Sequence, residues 1–144
     1  MMNGAKDPIE SLNALLRSLS PRLMPGCYVY VCLSPEQATS ADATACAVAI
    51  FREPEGVTLI VEQCVAEQAG WSASFPCAWI QLEVHSALHA VGLTAAVAQS
   101  LTNRGISCNV MAAYHHDHLF VPFDRAQDAI DALKELQRSA SSRD

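Results

Sequence analysis

The chain has 144 residues, 51% of them hydrophobic, with 9 basic against 15 acidic side chains and a formal charge of −6. That length suits one domain, or two very small ones sharing a core, and the scattered lysines and arginines exclude a nucleic-acid footprint. No apolar run approaches the roughly 18 residues of a membrane span, and the opening MMNGAKDPIE has no apolar segment of a secretory signal, so a cytoplasmic location is expected.

Asp7-Pro8-Ile9-Glu10 predicts a helix start, with Asp7 as N-cap, Pro8 in the first turn and Glu10 closing a capping box. Leu12, Leu15, Leu16 and Leu19 form its buried stripe, and Ser20-Pro21 stops it. Leu23 to Gly26 reads as a turn-rich connector. Tyr28 to Leu33 alternates as a strand, with Val29, Val31 and Leu33 on one face. Ser34 to Thr44 is small and polar, a loop or short helical turn. Ala45 to Arg52 is a second strand, Glu53-Pro54-Glu55-Gly56 a hairpin turn, and Val57 to Val61 a third strand. Glu62 to Ala69 is a short helix ending at Gly70, and Trp71 to Pro76 is a link.

From Trp79 the pattern sharpens. Ile80, Leu82 and Val84 alternate with polar residues as a half-buried strand, followed by a bend at His85 and Ser86. Leu93, Val97 and Leu101 mark one face of a helix, closed by Asn103-Arg104-Gly105. Ile106, Cys108 and Val110 restart the alternation. His116-Asp117 sits at a hairpin tip, and Leu119, Val121 and Phe123 return as a strand. Asp124 and Gln127 are placed to cap a last helix, whose inner side carries Ala126, Ile130, Leu133 and Leu136 or Gln137. Ser139 to Asp144 reads as a frayed polar tail.

The expected fold is α+β: two ferredoxin-like βαββαβ-type units sharing antiparallel sheet, with helices on one face. Residues 1–76 form a helix plus a degenerate half, and residues 77–144 a second half lacking its last strand. That open edge needs a strand from the first half or from another copy. The six cysteines (27, 32, 46, 64, 77 and 108) form no C-x-x-C pair and read as reduced core residues.

The string from His85 to Thr94 (HSALHAVGLT), followed by Leu101 to Val110 (LTNRGISCNV), resembles an ACT domain. Gly92-Leu93 matches the small residue and glycine at the first turn of the helix. Gly105-Ile106 with Asn109 matches the start of the next strand. Val91 stands where such domains commonly carry proline, and the acidic residue usual earlier in that loop is absent. The wider string resembles small stand-alone bacterial proteins built as tandem ACT-like units. The resemblance implies a regulatory protein without catalysis that binds a small molecule, an amino acid above all, at an interface between ACT units. With no linked enzyme in the chain, it would act in trans on a metabolic enzyme, as a homodimer, and no cofactor is implied.

The ligand-binding residues that follow are His85, Ser86, Ala90, Val91, Gly92, Leu93 and Thr94 in the loop, with Ser107, Cys108 and Asn109 at the next strand. Free N–H groups at the positive end of a helix beginning at Gly92 suit a carboxylate. Gly92 could equally serve close packing of helix on sheet. Gly92→Asp is expected to weaken a ligand response while leaving the fold. The Asn109 amide donates and accepts, as an α-amino acid requires, or serves solvent or a turn. Cys108 alternates with Ile106 and Val110, which makes it core rather than nucleophile.

Five histidines and Asp117 carry metal-ligand chemistry, but their spacing fits polar groups at strand ends better than a Zn²⁺ site, and no metal is expected. No nucleophile–base pair is present. Tyr28, Tyr30, Trp79, Gln81 and Glu83 would share a sheet face suited to a subunit contact. The alternative function is a protein-interaction module with no small ligand, which grips a partner enzyme through that face and its edge. A third, a metal-dependent enzyme using the histidines, predicts stoichiometric metal.

Overall fold

The computed structural model describes residues 11–142. In chain order the elements are α1 (Leu12–Arg17), β1 (Pro21–Leu23), β2 (Tyr28–Leu33), α2 (Pro35–Ala38), α3 (Ala41–Ala45), β3 (Ala49–Glu53) and β4 (Gly56–Glu62). Then come α4 (Gln63–Ala69), β5 (Ala73–Leu82), α5 (Leu93–Thr102), β6 (Asn109–Ala112), β7 (Asp117–Pro122), a 3₁₀ turn (Phe123–Arg125) and α6 (Ala126–Ser141). They fall into two units. One is residues 25–78; the other takes the chain before residue 25 and after residue 78.

The 25–78 unit runs β2, α2–α3, β3, β4, α4 and the first part of β5. Its antiparallel strands lie in the order β3-β4-β2-β5. This is the ferredoxin-like split βαββαβ arrangement, with the last strand beside the first. Residues 34–44, read as a loop or short helical turn, fold as two short helices. Ser34 caps the first, its hydroxyl accepting from the Gln37 N–H at 3.2 Å while the Gln37 side chain accepts from the Ser34 N–H at 3.0 Å. Val29, Val31, Leu33, Val57, Leu59, Val61 and Ala66 make the core of this unit, because alternate positions of both central strands carry branched apolar side chains.

The other unit is built on the second part of β5. Here the strands lie β1-β5-β7-β6. β1 pairs antiparallel with β5, Pro21 opposite Leu82 and Leu23 opposite Ile80. A strand that precedes the unit's first βα step thus fills the edge that its own order lacks. The connector expected at Leu23 is corrected accordingly. α6 packs against α1, α5, β1 and β7. Leu15, Leu19, Ile80, Leu82, Val97, Leu101, Leu119, Val121 and Leu133 are buried. α5 ends as expected at Gly105, whose φ of 67° allows the Ile106 N–H to reach the Leu101 carbonyl at 3.0 Å and the Gly105 N–H the Thr102 carbonyl at 2.9 Å.

Several boundaries move. The Asp7-Pro8-Glu10 helix start lies outside the described residues; α1 begins after Ser11. β3 starts at Ala49 rather than Ala45. Ala73 to Pro76 belongs to β5, with a register shift against β2 and Phe75 at φ 58°. That bulge hides the alternation. β6 begins at Asn109, so Ile106 and Cys108 precede the strand. Phe123 leaves the strand and is exposed. Asp124 sits in the 3₁₀ turn, and no side chain caps α6. α6 runs on to Ser141 with Ala140 buried, where a frayed tail was expected. All six cysteines are free thiols, but Cys32 and Cys64 are exposed rather than core. Tyr28, expected on a contact face, is buried and donates to the Pro25 carbonyl at 2.9 Å.

Candidate functional site

The segment between β5 and α5 has no regular structure, yet it is pinned. Val84 and Ala87 are buried. The Ser86 N–H donates to the Val84 carbonyl at 3.1 Å, and the Ala90 N–H to the Ala87 carbonyl at 2.9 Å. It leads to Gly92 at the N-cap, whose φ of 107° favours glycine whatever the ligand chemistry. Gly92 accepts from the Ala96 N–H at 2.9 Å, and with no side chain there it contributes no side-chain cap to α5. The first-turn N–H groups of a helix have no partner within it, so this positive end faces outward without a side-chain acceptor.

A small pocket of about 50 Å³ lies there. Ala90, Leu93 and Thr94 line it from the helix start, Ser86, Ala87 and Leu88 from the loop, and Ala112 and Asp117 from the β6–β7 hairpin. A wider pocket of about 220 Å³ shares Ser86, Ala87 and Leu88 and adds His85, His89 and Tyr114. Ser86, Ala90, Leu93 and Thr94 thus line one pocket, and His85 lines the wider one. Val91 is 83% exposed, and neither it nor Gly92 lines either pocket. Ser107, Cys108 and Asn109 line neither as well. Ser107 is exposed. Burial pushes the Cys108 thiol up to about 11, so it stays protonated. Asn109 donates to the carbonyl of its cross-strand neighbour Phe120 at 3.4 Å.

The site also contains a residue that the sequence reading put elsewhere. The hairpin tip is Ala113 to His116, closed by the Ala113 N–H donating to the His116 carbonyl at 3.0 Å. Asp117 is the first residue of β7 and only 7% exposed. The signal was present: Asp117, Leu119 and Val121 share one register of a two-residue period. Burial raises the pKa of this carboxyl, opposed by the Ser86 hydrogen bond and by His118 and His116. Ser86 Oγ donates to Asp117 Oδ2 at 3.5 Å.

The histidines take separate positions. His118 Nδ1 accepts from Trp79 Nε1 at 3.0 Å, which puts the proton of the neutral ring on Nε2. Burial holds this imidazole below its usual pKa. The His85 and His115 rings are 5.4 Å apart. Among the described residues no three His, Cys, Asp or Glu side chains gather as a metal-ligand set. A larger groove of about 540 Å³ runs between α1, α5 and α6, lined by Leu12, Leu16, Ala96 and Leu136 among others. Its ionisable groups Arg104 and Glu135 pair with one another. No helix among the described residues is long and apolar enough to cross a membrane.

Two family models match the chain, each an ACT domain: one over residues 7–78 and one over residues 74–135. Their overlap falls within β5, the strand that supplies pairing to both units. The chain matches none of the curated proteins it was compared with. Among solved structures it is similar to a Vibrio cholerae protein of unknown function, described as a possible transport protein. That match is 46% identical with a TM-score of 0.78, covering 89% of this chain and 97% of that one. An Agrobacterium tumefaciens protein matches at 19% identity and a TM-score of 0.64, covering 83% of this chain and 89% of that one. The regulatory subunit of aspartate kinase from Thermus flavus shares the fold at 11% identity and a TM-score of 0.54, covering 82% of this chain and 95% of that one. The chain belongs to the ACT domain family and carries two such domains in tandem.

Proposed function

We propose that this protein is a non-catalytic regulator that binds a small molecule, an amino acid above all, at the 85–94 loop. The observation that carries the reading is the uncapped start of α5 opening on a pocket walled by Ser86, Ala90, Leu93 and Thr94. A carboxylate placed there meets oriented backbone N–H groups and the positive end of the helix dipole. Regulation fits the family, whose domains bind small molecules and assemble. It also fits fold relatives that are regulatory subunits of aspartate kinase. Ligand binding would act through linkage, shifting self-association into a homodimer or affinity for a metabolic enzyme in trans.

The test is a thermal-shift screen of the full chain against the twenty amino acids. A ligand at about a hundred times its dissociation constant adds about 2.7 kcal/mol, a rise of several degrees for a chain of this size. A selective rise with one or two amino acids is expected; a flat panel on folded protein would refute the reading. Gly92→Asp, expected from the sequence to spare the fold, is a poor probe. Besides the positive φ, a Cβ at Gly92 would lie 2.9 Å from Leu12 Cδ2. Thr94→Asp is better, because it brings a negative charge to the same helix start from an exposed position.

One observation favours the alternative of a protein-interaction module. Leu88, Val91 and Tyr114 expose 67%, 83% and 75% of their surface on the same loops. Exposed apolar groups of this size are used in protein contacts. A flat metabolite panel, together with a complex lost on Leu88→Asp, would establish that reading instead.

A further inference from the structure

Asp117 is a buried acid among apolar neighbours. It lies at the start of β7, 93% removed from solvent relative to an exposed residue, in a strand whose next inward positions are Leu119 and Val121. A buried polar group is ordinarily hydrogen-bonded. Among the described residues this one accepts a single bond, from Ser86 Oγ at 3.5 Å, the outer limit of such contacts. Asp117 lines the small pocket together with Leu93 and Thr94 of the first turn of α5, where no side chain caps the helix.

The pocket lining therefore combines two features of opposite electrostatic character: the positive start of α5 at Leu93 and Thr94, and the buried carboxyl of Asp117. At about 50 Å³ the pocket has room for a head group and little else. The wider pocket that shares Ser86, Ala87 and Leu88 continues outward past His85, His89 and Tyr114. A zwitterion answers each part: its carboxylate at the helix start, its ammonium at the acid, its side chain in the outer pocket.

We propose that Asp117 receives the ammonium group of the bound ligand, so that the site selects α-amino acids over 2-hydroxy acids of the same shape. The inference rests on the ligand-site reading above and adds the group that discriminates. A charge-assisted N–H···O bond to a desolvated carboxylate is strong, and an analogue lacking the ammonium leaves that carboxylate unpaired.

The experiment is calorimetric titration of the full chain with each amino acid that raises its melting temperature, and with the matching 2-hydroxy acid. The expected result is at least about tenfold weaker binding of the hydroxy acid. Asp117→Asn should weaken the amino acid by a similar factor and leave the hydroxy acid nearly unchanged. Equal binding of the two analogues by the wild-type protein would overturn the role of Asp117 and leave the ligand site standing. That comparison needs no variant, so a poorly folded Asp117→Asn protein would not leave the question open. A chain that binds neither analogue series would remove the amino-acid reading, and this inference with it.

Discussion

The two units start the helix after β2 and the helix after β5 in opposite ways. After β2, Ser34 closes the start of α2: its hydroxyl takes one first-turn N–H, and Gln37 reaches back to the Ser34 N–H. After β5, Gly92 opens the start of α5: it has no side chain, and a pocket lies against the turn. One copy satisfies its helix end internally, at a four-residue helix. The other leaves a ten-residue helix with free donors and sets a buried acid nearby. Two copies of one fold thus differ at the same step, and the proposed ligand site lies in the copy whose helix start has no side-chain cap.

The comparison assumes that both units are equally well packed, which the largest expected effects probe. Leu59 in the 25–78 unit and Leu101 in α5 are each fully buried. Leu59→Ala and Leu101→Ala should each cost about 3 kcal/mol in urea unfolding. A loss below about 1 kcal/mol at either position would show that its unit is loosely packed and break the parallel.

The helix starts themselves give a smaller difference. Ser34→Ala removes a working cap and should cost about 1 kcal/mol. Thr94→Ala, at the exposed start that no side chain caps, should change stability by less than about 0.5 kcal/mol. Equal costs in thermal melts would mean that the α5 start is closed by its own side chains after all.

The smallest effect is a pH dependence confined to the site. The folded-state pKa of Asp117 is raised, chiefly by burial, with Ser86, His116 and His118 pulling it back. Its stabilising contribution is therefore complete below the unfolded carboxyl value of about 3.9 and is lost as pH rises through the folded value. Without ligand, Asp117→Asn should melt higher than wild type at pH 7, and the gap should close near pH 4. An Asn variant that melts lower at pH 7 would mean that the ionised carboxylate is well satisfied in the empty protein. His118 has the opposite sign. Its pKa is lowered, so its contribution holds above about 6.5 and fades as pH falls through the folded value.

Much of this was legible because it is local. Tyr28 to Leu33 alternates cleanly and forms β2 with those ends. Leu93, Val97 and Leu101 repeat at helical spacing and are buried in α5. Gly105 ends that helix with a left-handed residue that side chains disfavour. That Ser86, Ala90, Leu93 and Thr94 lie near one another was legible, because a bend before a glycine-started helix keeps them close in space.

What failed was non-local. Pro21 to Leu23 is too short to show a period, and it becomes a strand because the edge of β5 offers it partners at Leu82, Gln81 and Ile80. Ala73 to Pro76 carries a proline and a bulge, and it is strand because β2 lies beside it. Asp117 looked like a turn residue in a run of histidines. Sequence by itself determined the two-unit α+β order, the helix stripes and the open start at Gly92, since each depends on spacing within a few residues. Tertiary structure decided which strands pair with β5 and that Asp117 lines the pocket. Hydrogen-bond partners and burial come from segments far apart in the chain, and no short-range period records them.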